Sequence, residues 1–379
     1  MKLAYLSPAV THPPVGSAVH AHQITSRLAQ AGLEIAVLSL DPNPQYKKFD
    51  LTARGLADML QWADAIYVRA NPNIEEQLLP HLPALHKPVF WEINAPIEEG
   101  LWLARLSRRW PVPWSSRDEW RQLYYGGKQK RVRRQFARYV QAAFCVSKAM
   151  GDYARQLCPQ ANVTVVPNGS DPQQFDPAKR DRSLFPVADT DFVITWAGSA
   201  DWAWQGIPQI LAVAETAQQQ FSAWKFAMFC DRQHLPAKLP TNIIHTGKVP
   251  YFEFPRYLAS TDIGLSLVTG VNQCPWGNYL SQLKFFDYLA SALAVVATDS
   301  GQGAEIVRQH QCGELTDDTP QGLLEALSKI TREKTTCRAM GVNGRRAVIE
   351  HYTWERAARD TLAVIQACMG DSPNPVTKR

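Results

Sequence analysis

The stretch Ser281-Gln-Leu-Lys284-Phe-Phe-Asp287-Tyr-Leu-Ala-Ser-Ala-Leu-Ala-Val-Val-Ala-Thr298-Asp299-Ser-Gly301-Gln-Gly303-Ala-Glu305-Ile-Val changes its pattern twice within a short span. Leu280–Ala290 has the apolar spacing expected of a helix, Ala294–Ala297 is a short unbroken apolar run, and Gly303–Gln309 is helical again. A continuous apolar strand between two helices fits a parallel sheet covered on both faces.

The pattern recurs outward from there. In the second half, strands are expected at Phe192–Trp196, Lys225–Phe229, Ile243–His245 and Ile263–Leu267, with a helix from about Gly206 to Gln220. In the first half they are expected at Lys2–Ser7, Glu34–Leu40, Ala65–Val68, Pro88–Glu92, Ala143–Val146 and Val163–Val166. A helix His20–Ala31 is closed by Gly32 as a left-handed cap. Strands separated by helices predict the α/β class, built of two Rossmann-like domains. The boundary falls in Asn168–Asp191, rich in Pro, Asp and Gly. The expected division is an N-terminal domain 1–170 with a basic, Trp-rich insert at 102–138, then a C-terminal domain 171–352. A last helix, within 353–379, would pack back on the N-terminal domain. Two such domains leave a cleft at the carboxyl ends of their sheets, where open α/β folds bind ligands.

A chain of 379 residues that is 45% hydrophobic and 20% charged suits two folded domains and argues against disorder. No run reaches the roughly 20 apolar residues of a membrane helix, and the start reads as a strand rather than a signal peptide. Seven scattered cysteines lack zinc spacing, which favours a reducing cytoplasm. Net charge is only +5, yet eleven Arg and Lys face two acidic residues between Arg105 and Arg138, with Trp102, Trp110, Trp114 and Trp120 among or beside them. That stretch suits an anionic lipid surface better than nucleic acid, since no nucleic-acid module accompanies it; a solvated helical insert is the plainer reading.

Three segments offer chemistry. In Pro14-Val15-Gly16-Ser17, Gly16 and Ser17 can present N–H groups and a hydroxyl to a phosphate or sugar, or Ser17 simply caps the helix. The loop is not G-x-G-x-x-G, which disfavours a dinucleotide-dependent dehydrogenase. In Trp196-Ala-Gly198-Ser199-Ala-Asp-Trp-Ala-Trp204-Gln205-Gly206, a glycine follows a buried strand and another opens a helix, an arrangement suited to an anion or to a tight turn. Lys284 and Asp287 share a helix face. They form a surface ion pair or, at the mouth of an otherwise apolar helix and beside Ser281, serve a diphosphate and a ribose diol. Asp189-Thr-Asp191 is read as a solvated turn rather than a metal motif, and His20 and His22 as surface histidines.

Lys284-Phe-Phe-Asp287-Tyr-Leu-Ala, followed by Val-Val-Ala-Thr298-Asp299 and Gly301…Glu305-Ile-Val, resembles the donor-binding region of GT-B glycosyltransferases, in particular the retaining family four (glycosyltransferase group 1). Ala143-Phe-Cys-Val-Ser147, the hinge-like Val165-Val-Pro167-Asn168-Gly169-Ser-Asp171…Phe175, Trp91-Glu92-Ile-Asn94-Ala-Pro96…Glu99, and Thr246-Gly247-Lys-Val249-Pro…Asp262 follow that family's order over nearly the whole chain. The resemblance implies a GT-B enzyme that moves a sugar from a nucleotide diphosphate-sugar to a glycan or lipid-linked acceptor, with no cofactor or metal. Asp287 would hold the ribose, Lys284 would lie near the diphosphate, Val249 would offer its backbone to the base, and Gly16 and Ser17 would face donor phosphate or acceptor.

Departures accompany the match. Tyr279 stands where the family often carries its first glutamate, the one that usually touches the donor sugar. Asp287 is one methylene shorter than the usual residue. Ser199 and Gln205 replace an arginine–lysine pair, and Asn94 replaces a histidine of the first domain. The sequence therefore predicts a retaining, metal-independent glycosyltransferase of cell-surface glycan assembly, cytoplasmic or peripheral at the inner membrane face through 102–138, and not binding nucleic acid. The alternatives are a catalytically degenerate partner subunit and a sugar-nucleotide epimerase of the same fold.

Overall fold

The computed structural model describes residues 1–8, 16–39, 46–100, 102–103, 116–270 and 274–370, without the side chains of 16–17 and 116–124. The chain forms two compact units. Unit 1 comprises Met1–Ile97, Tyr125–Pro167 and Trp354–Arg379; unit 2 comprises Glu98–Tyr124 and Asn168–Thr353.

Unit 1 is built on strands β1 (Lys2–Leu6), β2 (Glu34–Leu38), β3 (Lys47–Phe49), β4 (Ala65–Arg69), β5 (Val89–Ile93), β6 (Val140–Cys145) and β7 (Asn162–Val165). They pair in the order β3-β2-β1-β4-β5-β6-β7, every pairing parallel. The central strands are apolar on both faces: Leu3, Ala4, Ile66, Val68, Phe90 and Trp91 are fully buried. The terminal helix Trp354–Gly370 packs on the first helix, Gly16–Gln30, and on β6. Trp354 stands edge-on to His20 at 5.5 Å, and Arg27 Nε donates to Glu355 at 2.8 Å.

Unit 2 contains β8 (Phe192–Ala197), β9 (Trp224–Phe229), β10 (Ile243–His245), β11 (Ile263–Ser266), β12 (Ala294–Thr298) and β13 (Gly313–Thr316), ordered β10-β9-β8-β11-β12-β13 and again parallel. Helices Ile207–Gln220 and Pro320–Ile330 cover one face, where Ile210, Val213 and Leu327 meet Ile194, Phe226 and Ile263. Helices Leu283–Ala290, Gly301–His310 and Lys334–His351 cover the other, through Phe285, Leu289, Ile306 and Val348. In each unit the strand order reverses once, at β1/β4 and at β8/β11. The crevice at such a reversal is where this architecture binds ligands.

Several boundaries differ from expectation. The first helix begins at Gly16 rather than His20, so Ser17 lies in its first turn and not at its N-cap. The helix carrying Lys284 begins at Leu283 behind an N-cap Gln282, which leaves Ser281 in the preceding loop. The stretch Glu98–Tyr124, which the expected division put in the N-terminal domain, groups with unit 2, and the division falls after Pro167. Trp110 and Trp114, with Arg105, Arg108 and Arg109, lie outside the described residues. Within the helix Ser116–Ala137, Lys128, Lys130, Arg131 and Arg134 are exposed, whereas Arg133 is buried.

Candidate functional site

The end of β8 and the loop after it form the floor of a site in unit 2. The Ala197 N–H donates to the buried hydroxyl of Tyr288 at 2.9 Å, which fixes the strand end from below. Gly198 follows in the positive-φ region at +156°, and a Cβ there would meet Gln205 Oε1 at 2.6 Å. The chain then turns through the short helix Ala203–Gln205 into Gly206, whose φ of +74° is another conformation that glycine adopts without strain. Gln205 is buried. Its Nε2 donates to the Ser199 carbonyl at 3.3 Å, and its Oε1 accepts from Lys284 Nζ.

Lys284 sits in the first turn of its helix with the ammonium 4.6 Å from the centre of the Trp196 ring. Burial pushes its amine down to about 7. Asp287, one turn later, faces a different partner: its Oδ1 accepts from the Ser170 hydroxyl at 2.6 Å. Burial raises its carboxyl to about 7 against the pull of that hydrogen bond. The surface-ion-pair reading of the two is therefore replaced: Lys284 reaches an amide and an indole, Asp287 a serine. Ser281 belongs to the same loop–helix junction, where Asn168 N–H donates to Ser281 Oγ at 3.2 Å and Asn168 Nδ2 to its carbonyl at 2.6 Å. The Asn168-Gly169-Ser170 turn, read in sequence as a domain boundary and a hinge-like motif, thus holds both Ser281 and Asp287.

Beside this junction lies a small cleft lined by Ser266, Asn278, Gln282, Thr298, Ser300 and Gly303. Asn278 Nδ2 donates to Ser300 O at 3.0 Å, at the start of the helix Gly301–His310. Val249 lies in the loop after β10, where its side chain packs against Phe185, Val193 and Phe229. Tyr279 is fully buried and donates to Glu99. The Asp189–Asp191 segment is a turn, with Asp191 Oδ2 accepting from the Ala188 N–H at 2.9 Å.

Because a methyl on Gly198 would displace the Gln205 amide that holds Lys284, Gly198→Ala is expected to weaken anion binding roughly tenfold, the worth of one hydrogen bond to a charged group. Calorimetric titration with a nucleoside diphosphate checks this, with the unfolding temperature as the control for fold.

In unit 1 the register of the central strands builds a second cluster. Pairing sets Arg69 opposite Glu92 and Tyr5 opposite Tyr67. Glu92 Oε1 lies 3.0 Å from His20 Nε2 and 3.2 Å from Arg69 Nε, and it accepts from Asn94 Nδ2 at 2.6 Å. Oε2 accepts from the Tyr67 hydroxyl at 3.0 Å. Burial alone would raise this carboxyl, but His20 and Arg69, with the bond from Asn94, hold it down at about 2. His20 is thus no surface histidine: it is buried between Glu92 and Trp354.

Asn94 is fixed by Glu92 rather than placed freely, while Gly16 opens the helix that carries His20. The loop after Asn94 is held by the buried Arg133, which donates to the Ala95 carbonyl at 3.3 Å and lies 3.5 Å from Glu75. Sequence reasoning missed His20, Arg69, Glu75 and Arg133 because each finds its partner far along the chain. The polar residue ending an apolar strand, as Glu92 ends Val-Phe-Trp, was the one local signal.

Known proteins show the same architecture. A glycosyl transferase 4-like domain model matches residues 15–169, and a glycosyl transferase-like model matches residues 209–363. No curated protein matches the chain. Sucrose-phosphate synthase from Thermosynechococcus elongatus superposes with a TM-score of 0.73 at 15% identity, covering 98% of this chain and 100% of that one. HepE from Anabaena, in a complex with UDP and glucose, superposes at 0.71 with 13% identity over 97% of this chain and 100% of its own. WaaG, a glycosyltransferase involved in lipopolysaccharide biosynthesis, does so at 0.65 with 12% identity over 96% and 99%. With both halves matched by glycosyltransferase models and the two parallel sheets of the GT-B fold in place, this chain belongs to the group 1 GT-B glycosyltransferases, enzymes that use nucleotide-sugars.

Proposed function

We propose that unit 2 binds a nucleoside diphosphate-sugar with its diphosphate at Lys284 and its ribose at Asp287. Transfer retains the donor's anomeric configuration and needs no metal ion. The observation that carries this reading is Lys284: a cation drawn into the fold whose partners are a neutral amide and an aromatic face. Such a charge is costly until an anion reaches it, and a departing diphosphate is that anion. Gly198 carries no side chain at the end of β8, so that a phosphate can approach the backbone there. Asp287, fixed by Ser170, offers its second oxygen to a ribose hydroxyl.

The acceptor would be a glycan or a lipid-linked glycan of the cell surface. The exposed Lys128, Lys130 and Arg131 support contact between the basic stretch 102–138 and anionic lipid at the inner membrane face. No helix among the described residues is long and apolar enough to cross a membrane.

The state of Lys284 makes binding pH-dependent. With the free amine at about 7, an oxyanion beside it raises that value, so binding takes up a proton above neutrality. Affinity is expected to fall by up to about tenfold per pH unit above pH 7 until the bound-state value is passed. Calorimetry in two buffers of different ionisation enthalpy at pH 8 should show the uptake, and identical heats would contradict it.

A second reading, a non-catalytic binding subunit, is favoured by Tyr279 in place of a glutamate. Product formation with nucleotide-sugar and a glycan acceptor separates the two: nucleotide binding with no transfer to any acceptor would establish it.

A further inference from the structure

Trp202 is 44% exposed, and among the described residues its indole meets no aromatic ring and no cation, whereas Trp91, Trp196, Trp224 and Trp354 are buried. The backbone beneath it is fixed. Its N–H donates to the Ser199 carbonyl at 3.2 Å, the same carbonyl that Gln205 Nε2 reaches, and its own carbonyl accepts from the Gln205 N–H at 3.1 Å. Thr269, after β11, donates its N–H to the Trp204 carbonyl at 2.8 Å and its hydroxyl to the Ala203 carbonyl at 3.1 Å. A flat apolar side chain on a backbone already ordered binds without the cost of ordering a loop. A lone exposed apolar residue is ordinary on any surface. This one stands one hydrogen bond from Gln205, the amide that holds Lys284.

Lys284 and Asp287 reach different partners from one helix: the ammonium meets Gln205 and the carboxyl meets Ser170. A nucleoside diphosphate-sugar carries a ring at each end of its diphosphate. With the ribose at Asp287, the remaining ring falls to the Gln205 side, where Trp202 stands. That ring is the sugar. A pyranose presents a face of C–H bonds, and an indole offers a wide flat apolar surface to set against it.

We propose that Trp202 stacks against the donor sugar and contributes to its selection. This rests on the reading that unit 2 binds a nucleoside diphosphate-sugar with its ribose at Asp287.

The test compares each diphosphate with its sugar conjugate. UDP, GDP and ADP, with UDP-glucose, GDP-mannose and ADP-glucose, are titrated into the wild type and into Trp202→Ala and Trp202→Phe. For the nucleotide that binds, Trp202→Ala is expected to leave the diphosphate's Kd within about twofold and to weaken the conjugate on the order of tenfold, as for loss of apolar contact over one ring face. Trp202→Phe keeps a smaller ring and should lose about threefold, again for the conjugate alone. Both variants should unfold at the wild-type temperature, because the side chain is exposed. Acrylamide quenching gives an independent reading: the quenching present in the wild type and missing in Trp202→Phe belongs to Trp202. The conjugate should shield that component and the bare diphosphate should leave it open. Equal losses for diphosphate and conjugate would assign the indole to the nucleotide base and overturn the proposal. Unchanged Kd values with an unshielded indole would overturn it as well. If the wild type binds no nucleotide, the underlying reading fails, and this assignment with it.

Discussion

Lys284→Met is expected to weaken nucleoside diphosphate binding by on the order of 100-fold, about 2.7 kcal/mol, without destabilising the fold. Methionine keeps the apolar stem against Trp196 and removes only the ammonium. In the unliganded protein that ammonium meets Gln205 and an indole; deleting it removes a desolvation cost and breaks no ion pair, while the buried Gln205 Oε1 loses its donor. These effects oppose, so the unfolding temperature should change little while affinity collapses. That contrast distinguishes a binding cation from a structural one, because a structural lysine would lose both. The fall in affinity above neutrality should also be lost in the variant, leaving only the titration of Asp287, whose carboxyl stands at about 7. Titration of both proteins at pH 7 and pH 8, beside thermal unfolding, gives all three quantities.

The second large effect is on stability. Glu92→Gln is expected to cost about 3 kcal/mol or more, because breaking a buried charge pair strands the other partners. Two cationic or potentially cationic groups, Arg69 and His20, meet one carboxylate in unit 1, and the Glu92 side chain is almost wholly inaccessible. The sign follows from its depressed carboxyl. A group held at about 2 against an ordinary 4.5 contributes stability that is fully present above pH 4.5 and is lost as pH falls through 2. The difference between wild type and variant should shrink as pH falls below about 4.5. Denaturant unfolding across this range measures it, and a difference near zero at pH 7 would mean the network contributes nothing net. Since His20 also meets Trp354, the variant should loosen the terminal helix as well, visible as faster amide exchange in Trp354–Gly370.

The parallel α/β architecture was legible because buried central strands such as Val193–Ala197 and Ala294–Thr298 are apolar runs, which periodicity reveals. Two of the four edge strands were not. β3 is Lys-Lys-Phe and β13 is Gly-Glu-Leu-Thr, polar on the side that faces solvent, and neither stands out from a loop. Lys284 and Asp287 were visible as polar residues in an apolar helix, and their order along the chain carried the family resemblance. Their true partners were not visible, because Gln205 lies 79 positions from Lys284 and Ser170 lies 117 from Asp287. The same holds for Tyr279 and Glu99. Sequence spacing places residues on one element, whereas a site in a crossover fold is assembled from strand ends that only the sheet order brings together. His20 was misjudged for a related reason: helix position said nothing of the Glu92 waiting at the end of a strand not adjacent in sequence.

The most direct test of the account is a thermal-shift and calorimetric titration of the intact protein with UDP, GDP, ADP and their common sugar conjugates. The account predicts that one nucleotide family raises the unfolding temperature, by a stabilisation of about 2.7 kcal/mol at a hundredfold excess over its Kd, and that Lys284→Met abolishes the shift. Stabilisation by none of them, or an equal shift in the variant, would contradict it.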